Sequence, residues 1–159
     1  MLDSINFTDL SVAQVEEVLY WRNHPSIRMH MRNEKEITMA EHLKFLEKLK
    51  DDFSRYYSYM HEHNSGVGIF SLTDIKENSA EVGVYVNPVL HGKGYGSKIL
   101  DCLIDHAAIA MNLTTLFLEV YKDNYAAICL YKKHGFKVYN ESDNMIKMKL
   151  ALFTEVNGN

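Results

Sequence analysis

The run His91-Gly92-Lys93-Gly94-Tyr95-Gly96 constrains this chain more than any other feature. Before it, residues 80–86 alternate. Val82, Val84 and Val86 face one way and Glu81, Gly83 and Tyr85 the other, which is the period of a strand. Pro88 stops that strand. After it, Ile99, Leu100, Leu103, Ile104, Ala107 and Met111 form the apolar stripe of a helix predicted over residues 95–111. Three glycines at alternate positions leave no side chain over the backbone of this strand-to-helix turn. Its N–H groups can converge on an anion, and the helix N-terminus adds partial positive charge. A pyrophosphate is the natural guest. A dinucleotide-binding domain would place Gly-x-Gly-x-x-Gly after the first strand, with an acid about 20 residues on. Here the spacing is Gly-x-Gly-x-Gly and it lies past mid-chain. A nucleoside-triphosphate loop needs Gly-Lys-Ser/Thr at its end, and Gly96-Ser97 has no lysine between. A plain glycine-rich connector is the remaining alternative.

The rest of the chain supplies a sheet and helices around that turn. A first strand is expected over residues 5–10. Ser11 with Gln14, and Thr38 with Glu41, are capping boxes that open two helices. Val15, Val18, Leu19 and Arg22 share a face of the first, which His24-Pro25 ends. Leu43, Leu46 and Leu49 are the expected stripe of the second. Residues 55–62 and 66–72 read as strands around a turn, and residues 115–121 are the most strand-like run. Asp123-Asn124 cap a helix to His134, with Gly135 at its left-handed end, and residues 136–139 and 145–153 form a closing strand pair. Strands followed by alternating helix and strand indicate an α+β or mixed α/β sheet domain.

At 159 residues the chain suits a single domain, residues 1–159. Apolar residues make up 47% and charged residues 24%, which excludes a disordered composition. Net charge is −4 and lysines are scattered, so a nucleic-acid partner is not expected. Cys102 and Cys129 fall in helical stretches as small buried thiols, and two cysteines make no disulfide framework. Residues 1–10 lack a secretory pattern, and no apolar run approaches the ~20 residues of a membrane span. A soluble cytoplasmic protein without a membrane partner is expected. His61 and His63 share a strand face, but two ligands make no metal site, and no metal is expected.

With these residues set out, the sequence resembles the GNAT superfamily of acyl-CoA-dependent N-acetyltransferases. The family signature, Gln/Arg-x-x-Gly-x-Gly/Ala, is matched by Gly94 and Gly96, with His91 in the first position. Asn124 to Phe136 looks like the family's Asn-x-x-Ala-x-x-x-Tyr-x-x-x-Gly-Phe segment, matched at Asn124, Ala127, Tyr131, Gly135 and Phe136. The motifs cover residues 79–140, the implied acetyl-CoA-binding core. The resemblance implies a mixed, mostly antiparallel twisted sheet, splayed between two adjacent strands and flanked by helices. It implies acetyl-CoA as co-substrate, held by His91, Gly92, Lys93, Gly94, Tyr95, Gly96 and Ser97, by the backbone at Val84, Tyr85 and Val86, and by Asn124, Ala127 and Tyr131. Tyr131 falls on the general-acid position for the leaving thiolate, with a core tyrosine as the alternative. Glu119, ranked above Glu81, is the candidate base, because a glutamate in an apolar strand needs a partner; an outward-facing solvated carboxylate is the alternative.

Residues 1–50 form the acceptor side. Trp21 to Pro25, Met29 to Arg32 and Glu41 to Leu46 resemble the bacterial UDP-4-amino-sugar N-acetyltransferases of the pseudaminic acid pathway, whose product decorates flagellin. That resemblance implies Arg22 and His42 at the nucleotide diphosphate, and Met31, Phe45 and Tyr85 along the sugar–nucleotide groove. Acetylation of a protein N-terminus or a ribosomal protein, and a non-catalytic CoA-binding module, are the alternatives. Oligomeric state stays open, a homodimer included.

Overall fold

The computed structural model describes residues 1–152. Its centre is a seven-stranded sheet of order β1-β2-β3-β4-β5-β7-β6. The strands are β1 (Asp3–Asn6), β2 (Tyr56–Glu62), β3 (Ser65–Thr73), β4 (Ser79–Val86), β5 (Thr115–Tyr121), β6 (Lys137–Glu141) and β7 (Met145–Ala151). Every pairing is antiparallel except β4 with β5. Helices α1 (Val12–Asn23), α2 (Pro25–Arg28) and α3 (Met39–Leu49) lie between β1 and β2 in sequence. Helix α4 (Tyr95–Asp105) joins β4 to β5, and α5 (Tyr125–Lys133) joins β5 to β6.

The sheet separates two apolar clusters. Phe70, Leu72, Val82, Leu116, Leu118 and Met148 pack with Ile99, Leu100 and Leu103 of α4. On the other face, Tyr59 and Ile69 pack with Val18 and Trp21 of α1, Ile27 of α2, and Leu46 and Leu49 of α3. The alternation along β2 and β3 puts one residue set into each cluster.

Both capping boxes form. Gln14 N–H donates to Ser11 Oγ at 3.2 Å, and Glu41 N–H to Thr38 Oγ1 at 3.1 Å. Several local expectations change. The first strand ends at Asn6, whose side chain accepts from Thr8 N–H at 3.0 Å and opens a 3-10 turn over Phe7–Asp9. The core residue of α1 that periodicity missed is Trp21. On α3, Leu43 is 52% exposed and His42 takes the inward position. The helix expected to Met111 widens to a π turn over His106–Ala110. Cys102 is half-buried, but Cys129 is exposed rather than a buried thiol. Phe153, given to the last strand, lies outside the described residues.

Candidate active site

Strands β4 and β5 pair only at Ser79 with Thr115, Ala80 with Leu116, and Glu81 with Phe117. Beyond that point each stays paired on its outer edge, β4 with β3 to Val86 and β5 with β7 to Tyr121. Each strand is thus fixed from outside while the two part in the middle. Asn87 N–H donates to Val67 O at 2.9 Å. By the antiparallel alternation, Tyr85's backbone groups then point to β3, and those of Val84 and Val86 point into the opening. The Val86 carbonyl is engaged there: the His91 ring donates to it from Nε2 at 3.0 Å. Val84 and the Val86 N–H remain for an extended ligand arm.

The glycine-rich turn lies at one end of this opening. Gly92 and Gly94 have φ of +79° and +83°, and a Cβ on either would meet nothing within 4 Å. Glycine is required there by backbone conformation, and the space it leaves is open. Gly94 is the N-cap of α4 and supplies no side-chain cap. The amides of the first turn, through Ser97, therefore have no intrahelical acceptor. An uncapped, 11-residue helix aimed into a cleft fits the pyrophosphate of acetyl-CoA. The Tyr95 hydroxyl is tied to β2, donating to Glu62 Oε1 at 2.8 Å. Lys93 is exposed and does not line the cleft. Ser97 lines it and lies 3.4 Å from His134 Nε2, which ties α4 to the end of α5.

Turn and opening join in one cleft of about 740 Å³. Val84, Tyr85, Val86, His91, Gly92, Gly94, Tyr95, Gly96, Ser97, Asn124, Ala127, Tyr131, Glu119 and Met31 all line it. Asn124 also caps α5, accepting from Ala127 N–H at 3.3 Å. Tyr131 is 7% exposed and stands edge-on to Phe136, with ring centroids 5.5 Å apart. Burial pushes its phenol up to about 12. Its hydroxyl has no hydrogen-bond partner among the described residues, and it is not sealed from the cleft.

Tyr131 packs in the α4-side cluster with Val82, Leu118 and Val120. Glu81 and Glu119 alternate with those residues on their strands and so face the opposite side, toward α1–α3. Tyr131 and Glu119 thus reach the opening from opposite faces. The cost of placing Glu119 in an apolar strand is offset by two cations. Arg32 Nη2 lies 3.2 Å from its Oε2 and Lys147 Nζ lies 3.6 Å from its Oε1. Arg32 also reaches Glu81 Oε1 at 2.7 Å.

On the acceptor side the expected residues divide. Arg22 does not itself line the cleft but lies beside Tyr85 and Tyr57, which do, and burial lowers its guanidinium's affinity for a proton. Its Nη2 donates to Asn33 O at 2.8 Å, while its Nη1 is buried without a partner. Burial pushes the Tyr85 phenol well above its usual range. His42 and Phe45 do not line the cleft. His42 is 3% exposed, and its Nε2 lies 3.2 Å from Val15 O across the α1–α3 contact. Phe45 packs edge-on against Tyr57 at 5.1 Å. Both project from the inward face of α3, where the helix meets α1 and β2, and that contact shields them from the opening. Residues that periodicity did not single out also line the cleft: Ser26, Ile27, His30, Tyr57, Ile69 and Ser71.

The family model described as acetyltransferase (GNAT) domain matches residues 5–137. Acetyltransferase PseH of Campylobacter jejuni subsp. jejuni serotype O:23/36 (strain 81-176) is 36% identical over 141 residues, which are 89% of this chain and 88% of that protein. The crystal structure of Campylobacter jejuni N-acetyltransferase PseH in complex with acetyl coenzyme A has a TM-score of 0.80 at 28% identity, covering 95% of this chain and 99% of that one. Spermidine N-acetyltransferase from Vibrio cholerae, in complex with CoA and spermine, has a TM-score of 0.87 at 19% identity, covering 98% of each chain. At that identity the likeness is one of fold alone.

Proposed function

We propose, from the premise that the chain belongs to the GNAT acetyltransferase family, that it transfers acetyl directly from acetyl-CoA to the 4-amino group of a UDP-linked amino-deoxysugar in pseudaminic acid biosynthesis. Its likeness to the PseH acetyltransferases over most of both chains supports that acceptor. The observation that carries it is the unpartnered Nη1 of Arg22 beside the cleft. A buried N–H without an acceptor is costly; Nη1 sits behind the cleft lining in this conformation, and a diphosphate oxygen admitted by a shift of that lining would satisfy it with a charge-assisted bond. The surrounding sequence agrees: Arg22, Arg28 and Arg32 lie between Glu17 and Glu34 with no acidic residue among them. Arg32's charge is balanced by Glu81 and Glu119, so of these three Arg22 and Arg28 are the cations that favour an anionic acceptor.

In the reaction the acceptor nitrogen attacks the thioester carbonyl carbon, a C–N bond forms and the C–S bond breaks. Glu119 takes the proton that nitrogen loses, directly or through water, from the acceptor face. Tyr131 gives the departing sulfur a proton from the other face. The first-turn amides of α4 hold the pyrophosphate, and the backbone at Val84 and Val86 aligns the pantetheine arm, so reactants meet at the opening. The reaction is assigned to the cytoplasm, where acetyl-CoA is available. No helix among the described residues is long and apolar enough to cross a membrane.

A thiol-release assay with acetyl-CoA tests the acceptor against a panel. Turnover of a UDP-4-amino sugar well above that of spermidine or an N-terminal peptide is expected. Turnover of the peptide alone would transfer the protein to the N-terminal acetylating group, and turnover of spermidine alone to the polyamine group.

A further inference from the structure

Two carboxylates on neighbouring strands repel one another, and here a single guanidinium stands between them. Arg32 Nη2 is 2.7 Å from Glu81 Oε1, at the last paired position of β4, and 3.2 Å from Glu119 Oε2, beyond the point where β5 has parted. Arg32 comes from the segment between α2 and α3. The other side-chain bonds holding that segment run back to α1 and α2. Arg22 Nη2 donates to Asn33 O at 2.8 Å, Arg28 Nη1 donates to Glu34 O at 3.1 Å, and the Asn23 amide exchanges two bonds of 2.8 Å with Ile37. Among the described residues, Arg32 is the one side chain whose hydrogen bond or ion pair ties this segment to the sheet. Met29, His30 and Met31, immediately before it, line the cleft.

We infer that Arg32 is a positioning residue for the acceptor side of the reaction, holding Glu119 at the opening and pinning the segment that carries Met31 across it. The inference rests on the reading of Glu119 as the group serving the acceptor nitrogen. Arg32's side chain is 64% exposed, so its ion pairs add little to the stability of the fold. Their effect lies in geometry. Without the cation, Glu81 repels Glu119, only Lys147 holds the latter, and the segment is anchored on one side alone. Small displacements of a reacting group are expensive in rate, which is how an exposed arginine gains leverage here. Both carboxylates meet the one nitrogen Nη2, whose two N–H groups lie in the guanidinium plane, whereas an ammonium keeps the charge without that planar geometry.

The test is steady-state kinetics of Arg32→Ala and Arg32→Lys, with calorimetric acetyl-CoA affinity and thermal unfolding measured on the same preparations. In Arg32→Ala, kcat/KM for the acceptor should fall roughly tenfold to a hundredfold. Acetyl-CoA affinity and unfolding temperature should stay near those of the wild type. Arg32→Lys should recover part of the loss. Wild-type acceptor kinetics in Arg32→Ala would overturn the proposal. So would an equal loss of donor affinity, or a loss of the folded state, either of which would make Arg32 a structural tie. If wild-type protein leaves UDP-amino sugars untouched, the acceptor reading fails separately, and the Arg32 variants are assayed with whichever panel acceptor is turned over.

Discussion

Glu81 and Phe117 are the last residues at which β4 and β5 lie side by side. One residue further along each strand the ladder has ended, yet both strands run on, held by β3 and β7. The parting exposes strand backbone inside a sheet without leaving it floppy. It also lets Tyr131 and Glu119 line one cleft from opposite faces. A protein that must align a thioester with an amine and move protons on both sides gains most from such an opening.

The glycine turn gives the first expectation. At Gly94 a valine Cβ would meet no protein atom within 4 Å, so Gly94→Val costs the apo protein backbone strain at φ +83°, about 1–2 kcal/mol, and little else. The added side chain would occupy the space in front of the α4 amides. Acetyl-CoA affinity by calorimetry should fall by more than about tenfold while the domain stays folded. Unchanged affinity would remove the pyrophosphate from this turn.

Arg22 should act on the other substrate. Arg22→Ala is expected to raise the acceptor's KM by roughly tenfold or more, the usual worth of a charge-assisted contact, and to leave that of acetyl-CoA nearly unchanged. Movement of the donor constant instead would reverse the assignment of the two halves.

His42 should behave as part of the fold. Burial holds its imidazole below the usual histidine range, so the folded state favours the neutral ring. An unfolded histidine binds its proton near pH 6.5, so stability is full above that pH and falls as pH drops below it. His42→Ala should flatten this dependence and cost about 1–3 kcal/mol, since it removes a buried side chain and its bond to Val15 O from the α1–α3 contact. Acceptor kinetics should change little; a large rise in acceptor KM with unchanged stability would return His42 to the site.

Local signals were legible where local physics decides them. The two capping boxes, the alternation of Val82, Val84 and Val86, and the glycines with positive φ each follow from a few neighbouring residues. The division of the acceptor segment was not legible, because His42 and Phe45 sit one turn apart on α3 and only tertiary packing turns that face inward. Leu43 lost the core position to His42 for the same reason. Glu119 looked out of place in its strand, and the sequence held the answer too far away to see. Arg32 is 87 residues upstream, and Lys147 meets it only through the register of β5 with β7.

The most direct measurement of the account is the turnover of Tyr131→Phe beside its affinity for acetyl-CoA. The substitution keeps the ring, its packing on Phe136 and the shape of the cleft, and removes one hydroxyl. Burial raises this phenol to about 12, so it holds its proton throughout the neutral range. A thiolate leaving into the same apolar cleft is destabilised for the same reason, which keeps donor and acceptor of the proton comparable. If Tyr131 protonates the sulfur, turnover falls roughly a hundredfold to ten-thousandfold while calorimetric affinity for acetyl-CoA stays close to that of the wild type. Wild-type turnover in Tyr131→Phe, with chemistry shown to limit the rate, would contradict the account and leave Tyr131 a residue of the core.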